Sequence, residues 1–559
     1  KPLFFPRELR DKHLYVCGGT GTGKSKFLEH LIRQDIKKWN QSKCGLLLLD
    51  PHGSLYDGLM KWITWNRKYI DAPIVPIDLR QDDWIVSYNL LRQRTADPAV
   101  LVDNLTDAMA YVWGQGGTNQ TPLFARWSGN VLRALYEKNL TLVEAEFLVD
   151  RVARQVRSAM TSDLRDKPSR QDWQFADTLN AKDFEAQIGS TVNRLQRFIR
   201  NQTMRSMFGQ PGVSLDLGKA LEQGSVILVS RATERAKISK ENAELFATLL
   251  LSDLWTAAQE RGKDADNPPK PFYVYLDEFQ RFVTPTISDN LDEARGFGLH
   301  LTMAHQFPNQ LLDRGENGRR VYNSIMENAS SKVVFRLSHE DNLRVMAQWL
   351  FMGVMNPDEV KHELYSTKVM AYREEMRTTH SRSKGSSKGG GIFSGLTESN
   401  TLSGKIIDDD EEDPDAWNES TANSSGDSHT WTNSEMESAT ESTVLIPVLG
   451  KELSHVQFRS LEEQLFRAMA VLFDQQQRHG VARLVGMNAP VSLYTPTVNP
   501  TPTTQKEIAA YLNRCYRKLP FALRSEAALK QLADRAAKLP GELFKEASAE
   551  PVAIKRKIQ

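Results

Sequence analysis

The sequence of 559 residues has only three cysteines, Cys17, Cys44 and Cys515. So sparse and odd a set cannot build a disulfide scaffold, and it suits a reducing, cytoplasmic compartment. No run of about 18 apolar residues is present, the length a helix needs to cross a bilayer. No stretch of these residues reads as a signal peptide. Nor is there an excess of charge of one sign: 71 Lys and Arg stand against 70 Asp and Glu, a net of +1. Bulk attraction to a polyanion is therefore excluded, and any contact with nucleic acid must come from a local patch or a lined pore. No repeat at a solenoid period is found.

What is present is an alternation of short apolar runs and helical patterns. His13–Cys17 is a β-prone run ending in Gly18-Gly19, and a helical pattern from Lys26 to Trp39 follows. Gly45–Leu49 is an unbroken apolar run closed by Asp50-Pro51-His52-Gly53, which suits a strand buried on both faces. Further strands are expected at 74–77, 225–230, 271–276, 299–304 and 332–337. Strands alternating with helices predict an α/β fold with a mostly parallel sheet. The alternation is broken twice. Residues 92–215 carry amphipathic helical patterns, as at 131–135, 142–149 and 188–199, and read as an all-helical insertion domain. Residues 378–445 are rich in Ser, Thr, Gly and Asn, with an acid run at Asp408–Asp413, and are expected to be disordered for want of apolar surface to bury. The expected division is an α/β domain in three parts (1–91, 216–377 and 446–503), the two insertions, and a helical tail at 504–559. Within 446–503, a helix is expected at 461–473 and a hairpin from 481–484 and 491–493.

Gly18-Gly19-Thr20-Gly21-Thr22-Gly23-Lys24-Ser25 lies between a strand and a helix, the setting a phosphate-binding loop requires. Its glycines let backbone N–H groups curl around an anion. Lys24 supplies charge to the outer phosphates of ATP, and the Ser25 hydroxyl is a ligand for Mg2+. The helix N-terminus adds its dipole. Phe272–Leu276 then delivers Asp277 and Glu278 to a strand end. There Asp277 can hold the magnesium shell and Glu278 can polarise an attacking water. Gln306, after the strand at 299–304, can sense the γ-phosphate or hold that water. His300 and His305 have no companions at metal-ligand spacing and read as structural. Arg295 and Arg336 are arginine-finger candidates, a salt bridge or solvated charge being the other reading for each. Arg194, Arg197 and Arg200, with Arg205 beyond, and Arg151, Arg154 and Arg157 form helix faces that can meet DNA phosphates or simply solvent.

The order of these pieces resembles the FtsK/HerA superfamily of ring-forming DNA motors. Within it the chain looks most like conjugative type IV secretion coupling proteins of the TraG/TraD type. The resemblance is carried by Gly18–Ser25, Asp50–Gly53, Asn193–Phe198, Leu276–Phe279, Glu293–Gly298 and Ala304–Gln306. It implies a RecA-like P-loop NTPase core with ATP and Mg2+ held between subunits of a homohexamer around DNA. Lys24, Ser25, Asp277, Glu278 and Gln306 would serve one subunit, and Arg295, with Arg336 kept open, the neighbouring one. Arg319 and Arg320 would face DNA in the pore. The helical domain would receive relaxase or relaxosome proteins, and the secretion channel ATPases would be partners. Coupling proteins usually carry N-terminal membrane helices. The chain starts at Lys1 without them, so either an inner-membrane anchor was removed or this is a soluble HerA-like relative acting in repair or phage defence. An ATP-gated platform that recruits protein cargo is the reading from a different class.

Overall fold

A computed structural model of the chain describes residue 10 and residues 12–92, 97–114, 122–231, 238–262, 268–281, 291–312, 315–389, 392–400, 419–427 and 430–549. Its strands are β1 (Leu14–Cys17), β2 (Gly45–Asp50), β3 (Ile74–Asp78), β4 (Trp84–Val86), β5 (Val226–Ser230), β6 (Phe272–Asp277), β7 (Leu299–His305), β8 (Ser331–Phe335), β9 (Val360–Gly389), β10 (Ile392–Asn400), β11 (Glu419–Asp427), β12 (Thr430–Phe458), β13 (His479–Arg483), β14 (Val491–Tyr494) and β15 (Ala522–Arg524). The chain divides into two compact units, residues 1–355 with 462–559, and residues 356–461.

The first unit is built on a nine-stranded sheet of order β14-β13-β8-β1-β7-β6-β2-β5-β3. From β8 to β3 every neighbouring pair is parallel. The hairpin β13–β14 adds an antiparallel edge. Period-2 alternation sends successive side chains of each central strand into separate cores. Tyr15, Leu47, Leu49, Val274 and Leu276 enter one, and Val16, Leu46, Leu48, Tyr273 and Tyr275 the other. An unbroken apolar run is what a strand covered on both faces needs. The second core is closed by the helix Lys24–Ser42, through Phe27, Leu28, Ile32, Ile36 and Trp39, and by the helix Ser54–Trp65.

Residues 98–208 form helices at Pro98–Gly114, Pro122–Glu137, Ala145–Val149, Arg154–Thr161, Lys167–Thr178, Ala181–Ile199 and Gln202–Phe208. Trp127 and Trp173 anchor them edge to face, with ring centroids 5.3 Å apart. The pairing of β4 with β15 was not foreseen; strands this short leave no periodicity to read. The helix Leu461–Phe473 has the expected bounds, and the tail folds as the helices Gln505–Lys518 and Ser525–Ala549.

The second unit is extended where composition predicts disorder: within 378–445, the described residues 378–389, 392–400, 419–427 and 430–445 lie in strands. β9, 30 residues long, pairs antiparallel with β12, 29 residues long. β10 and β11 extend the sheet at one side. Residues 360–377 and 446–458, expected in the α/β domain, therefore belong to this ribbon. A polar composition denies the segment a core, but it does not prevent two strands from satisfying each other's backbone N–H and C=O groups. The acid run at Asp408–Asp413 lies outside the described residues. None of the helices among the described residues is long and apolar enough to cross a membrane.

One buried charge gives the first unit a pH dependence. Lys332 is 3% exposed. Its Nζ donates to the carbonyls of Met326 (3.0 Å) and Ala329 (2.6 Å), and it sits 3.6 Å from the centre of the Trp349 ring. Burial, aided by the charge of Arg483, lowers its pKa to about 7 from 10.5. Between those values the unfolded chain holds a proton that the folded chain has released, so stability must rise with pH across that window. Thermal melts of wild type and Lys332→Met from pH 6 to pH 10 should diverge, the rise being steeper in the wild type. Parallel curves would show that Lys332 titrates normally.

Candidate active site

The parallel strands place their C-terminal ends along one edge of the sheet, where ligands of such sheets bind. The turns after β1, β2, β6, β7 and β8 converge there. After β1 the chain enters the loop Gly18–Gly23 and then the helix from Lys24. Gly18 N–H donates to the His305 carbonyl (3.3 Å) and Gly19 N–H to the Arg336 carbonyl (3.0 Å). The loop is thereby fixed to the strand ends on either side. Two of its glycines are sterically required. A Cβ on Gly18 would lie 2.6 Å from the Phe335 Cβ, and Gly23, at φ 114°, would press one to 2.9 Å from the Arg478 Cα.

The Lys24 amine is buried and donates to Glu278 Oε1 at 3.1 Å; Asp277 Oδ1 lies 3.6 Å away. Asp277 ends β6 and Glu278 begins the turn that follows. Glu278 has φ 52°, a left-handed conformation that costs a non-glycine residue about 1–3 kcal/mol. Two amides hold its carboxylate. Gln306 Nε2 donates to Oε1 (3.1 Å) and Gln280 Nε2 to Oε2 (2.6 Å). Burial would raise the pKa of Glu278, but Lys24 and these amides outweigh it and keep the carboxyl below its ordinary value. Asp277 shows the opposite balance. Burial, only partly offset by Lys24, pushes it up to about 6, with Asp50 and Glu278 adding to the rise. Two adjacent carboxyls are thus driven apart in acidity, the pattern that divides roles within one site.

The donors fit a divalent cation. Asp277 Oδ1 is buried and makes no hydrogen bond. Held only by the charge of Lys24 at 3.6 Å, it keeps its lone pairs open to a ligand. Ser25, next to Lys24 at the start of the helix, is half-buried at the same loop. A hard oxygen donor set of this kind suits magnesium.

The structure gathers Gly18–Ser25, Asp277, Glu278 and Gln306 as the spacing suggested. It separates the two arginines. Arg336 follows β8, and its own carbonyl braces the loop, so its exposed side chain starts from the same edge of the sheet. Arg295 is exposed in the turn before β7, at the opposite edge from the loop Gly18–Gly23. Several arginines considered for DNA are already engaged. Arg157 is 2% exposed and bonds Asp177 Oδ1 through Nε (2.8 Å) and Nη2 (2.6 Å). Arg205 makes a two-point pair with Glu146 (2.8 and 3.1 Å). Arg194 bonds Ser190 Oγ (2.6 Å) and lies over the Phe124 ring at 4.7 Å. Arg151, Arg154, Arg200, Arg319 and Arg320 are exposed. The Arg197 side chain is outside the described set.

Three residues of the site escaped the sequence reading. Gln280 stands two places after Glu278 and could have been weighed as its partner. Gln477 and Arg478 gave no signal, because they reach the loop from a remote part of the chain. Arg478 N–H donates to the Thr22 carbonyl (2.7 Å) and Gln477 Nε2 to the Gly21 carbonyl (3.0 Å).

A family model described as the type IV secretion-system coupling protein DNA-binding domain matches residues 2–385. Among solved structures, the chain is similar to the bacterial conjugative coupling protein TrwBdeltaN70 in its unbound monoclinic form. Identity is 12%, coverage 89% of this chain and 88% of that one, and the TM-score 0.46. It is also similar to the plasmid coupling protein TrwB in complex with ADP and Mg2+, at 11% identity, 90% and 89% coverage and a TM-score of 0.46. No curated protein matches it. With more than half of its residues matched by that model, the chain belongs to the type IV secretion-system coupling protein family.

Proposed function

We propose that the chain is an ATP-hydrolysing DNA translocase that delivers relaxase-bound DNA to a conjugative secretion channel, working as a homohexamer. The observation that carries this reading is the convergence of Lys24, Asp277, Glu278 and Gln306 on one phosphate-binding loop. Family membership favours the coupling role over a HerA-like repair motor or a protein-recruiting platform.

The chemistry follows from the charges. Lys24 and the loop N–H groups bind and neutralise the outer phosphates. Ser25 and Asp277 would hold Mg2+, which supplies charge compensation at the phosphates when bound. Glu278, kept ionised, is the acceptor that polarises the attacking water. Gln306 holds the Glu278 carboxylate, through which it would respond to the γ-phosphate. Arg295 cannot reach its own loop from the far edge of the sheet, which favours action on a neighbouring subunit. Arg319 and Arg320, both exposed, are the candidates for DNA phosphates. Relaxosome proteins and channel ATPases would be the protein partners.

Wild-type protein should hydrolyse ATP faster with single- or double-stranded DNA than without; equal rates would remove the translocase reading. Lys24→Ala should lower hydrolysis by about 100-fold or more, and an unchanged rate would displace the loop from catalysis. Glu278→Gln should keep nucleotide binding while kcat falls about 100- to 10,000-fold; rapid turnover in that variant would move the base elsewhere. Arg295 is tested by mixing subunits. If it acts in trans, Arg295→Ala and Lys24→Ala chains, each nearly inactive alone, should regain activity together, because some junctions then pair an intact loop with an intact arginine. No regain would assign Arg295 another role.

A further inference from the structure

His305 has no task in the chemistry described so far, yet it lies directly behind the site. β7 ends on it, and the next residue is Gln306, whose amide reaches Glu278 Oε1 at 3.1 Å. The His305–Gln306 dipeptide is tied twice to the end of β1. The His305 carbonyl accepts from Gly18 N–H (3.3 Å), and the Gln306 carbonyl accepts from the Cys17 thiol (3.6 Å).

The imidazole itself is wholly buried. Its ring lies edge-on to Tyr15, centroids 5.1 Å apart, and tilted against Phe279 at 4.9 Å. Phe279 directly follows Glu278 in the chain. One ring thus touches both the strand that leads into the phosphate loop and the turn that carries the carboxylate. The Tyr15 hydroxyl is hydrogen bonded to His305 Nε2. His305 Nδ1 is buried with no hydrogen bond. An imidazole left half-satisfied carries a desolvation cost that an apolar side chain of similar size would not. The return on that cost is direction, because a buried polar contact admits one arrangement where apolar packing admits several.

We infer that Tyr15 and His305 are a positioning pair, which fixes the end of β7 so that Gln306 meets Glu278 and the nucleotide in a single geometry. Other roles fit less well. His305 is sealed from the site and its Nε2 is taken by Tyr15, so it cannot exchange a proton with substrate. Burial, with the nearby charge of Lys24, lowers its pKa to about 3 and keeps the ring neutral. No group of three or more His, Cys, Asp or Glu able to hold a metal occurs among the described residues.

The inference rests on the proposed hydrolysis, since Gln306 has a task only there. Tyr15→Phe removes one oxygen and retains the ring, so it is the variant to use, with His305→Phe as its companion. In the full chain, Tyr15→Phe should leave the Kd for a fluorescent non-hydrolysable ATP analogue within about 2-fold and lower kcat about 5-fold, the worth of one hydrogen bond. The deciding measurement repeats the substitution in a Gln306→Ala background, where it should have almost no further effect on kcat. An equal loss in both backgrounds, an unchanged kcat, or a loss confined to affinity would overturn the positioning role while leaving the hydrolysis reading intact. A wild-type chain without ATPase activity would overturn both.

Discussion

The parallel alignment of β1, β6 and β7 is the constraint on which the site depends. Three strands running the same way end at the same edge, and their following turns must share that space. β1 contributes the loop and Lys24, β6 the two carboxyls, and β7 the amide of Gln306. Each residue is short of function by itself. Held side by side by backbone ladders, they form a charged cluster whose parts lie within about a hydrogen bond of one another. The helices on both faces make that alignment possible, because a parallel sheet must be covered on both sides.

Within the cluster, small differences in environment give neighbouring carboxyls different characters. Asp277 has an oxygen with no hydrogen bond and a pKa raised to about 6 by burial. Glu278 is strained in its backbone, held by two amides and Lys24, and kept acidic. Strain of about 1–3 kcal/mol survives only where surrounding contacts enforce it, and here those contacts are the ones that aim the carboxylate. The Tyr15–His305 contact lies one layer deeper and connects the strand of the loop to the strand of the amide.

The arginines show how poorly a charge pattern reports its own use. Arg194 and Arg157 looked alike on helical spacing, as members of basic faces. One lies on an aromatic ring and the other is locked in a buried ion pair. Helical spacing fixes which residues share a face, but not whether that face meets solvent, a carboxylate or a ligand. Gln477 and Arg478 make the complementary point, since they close on Gly21 and Thr22 from the other end of the chain.

The sequence by itself determined the strands of the central sheet and singled out the loop Gly18–Gly23 with Lys24, Ser25, Asp277, Glu278 and Gln306 as the candidate site. These were legible because each rests on local rules: an apolar run of strand length, glycines where a Cβ cannot fit, a helix start, and an acid at a strand end. The tertiary structure alone decided what depends on contact between distant segments. It assigned Gln280 and Gln306 to opposite oxygens of one carboxylate, buried Arg157, and put Arg295 and Arg336 at opposite edges of the sheet. It also paired 360–389 with 430–458, of which composition had marked only 378–389 and 430–445 as disordered. Composition measures the capacity to form an apolar core, and a ribbon held by backbone hydrogen bonds does not need one.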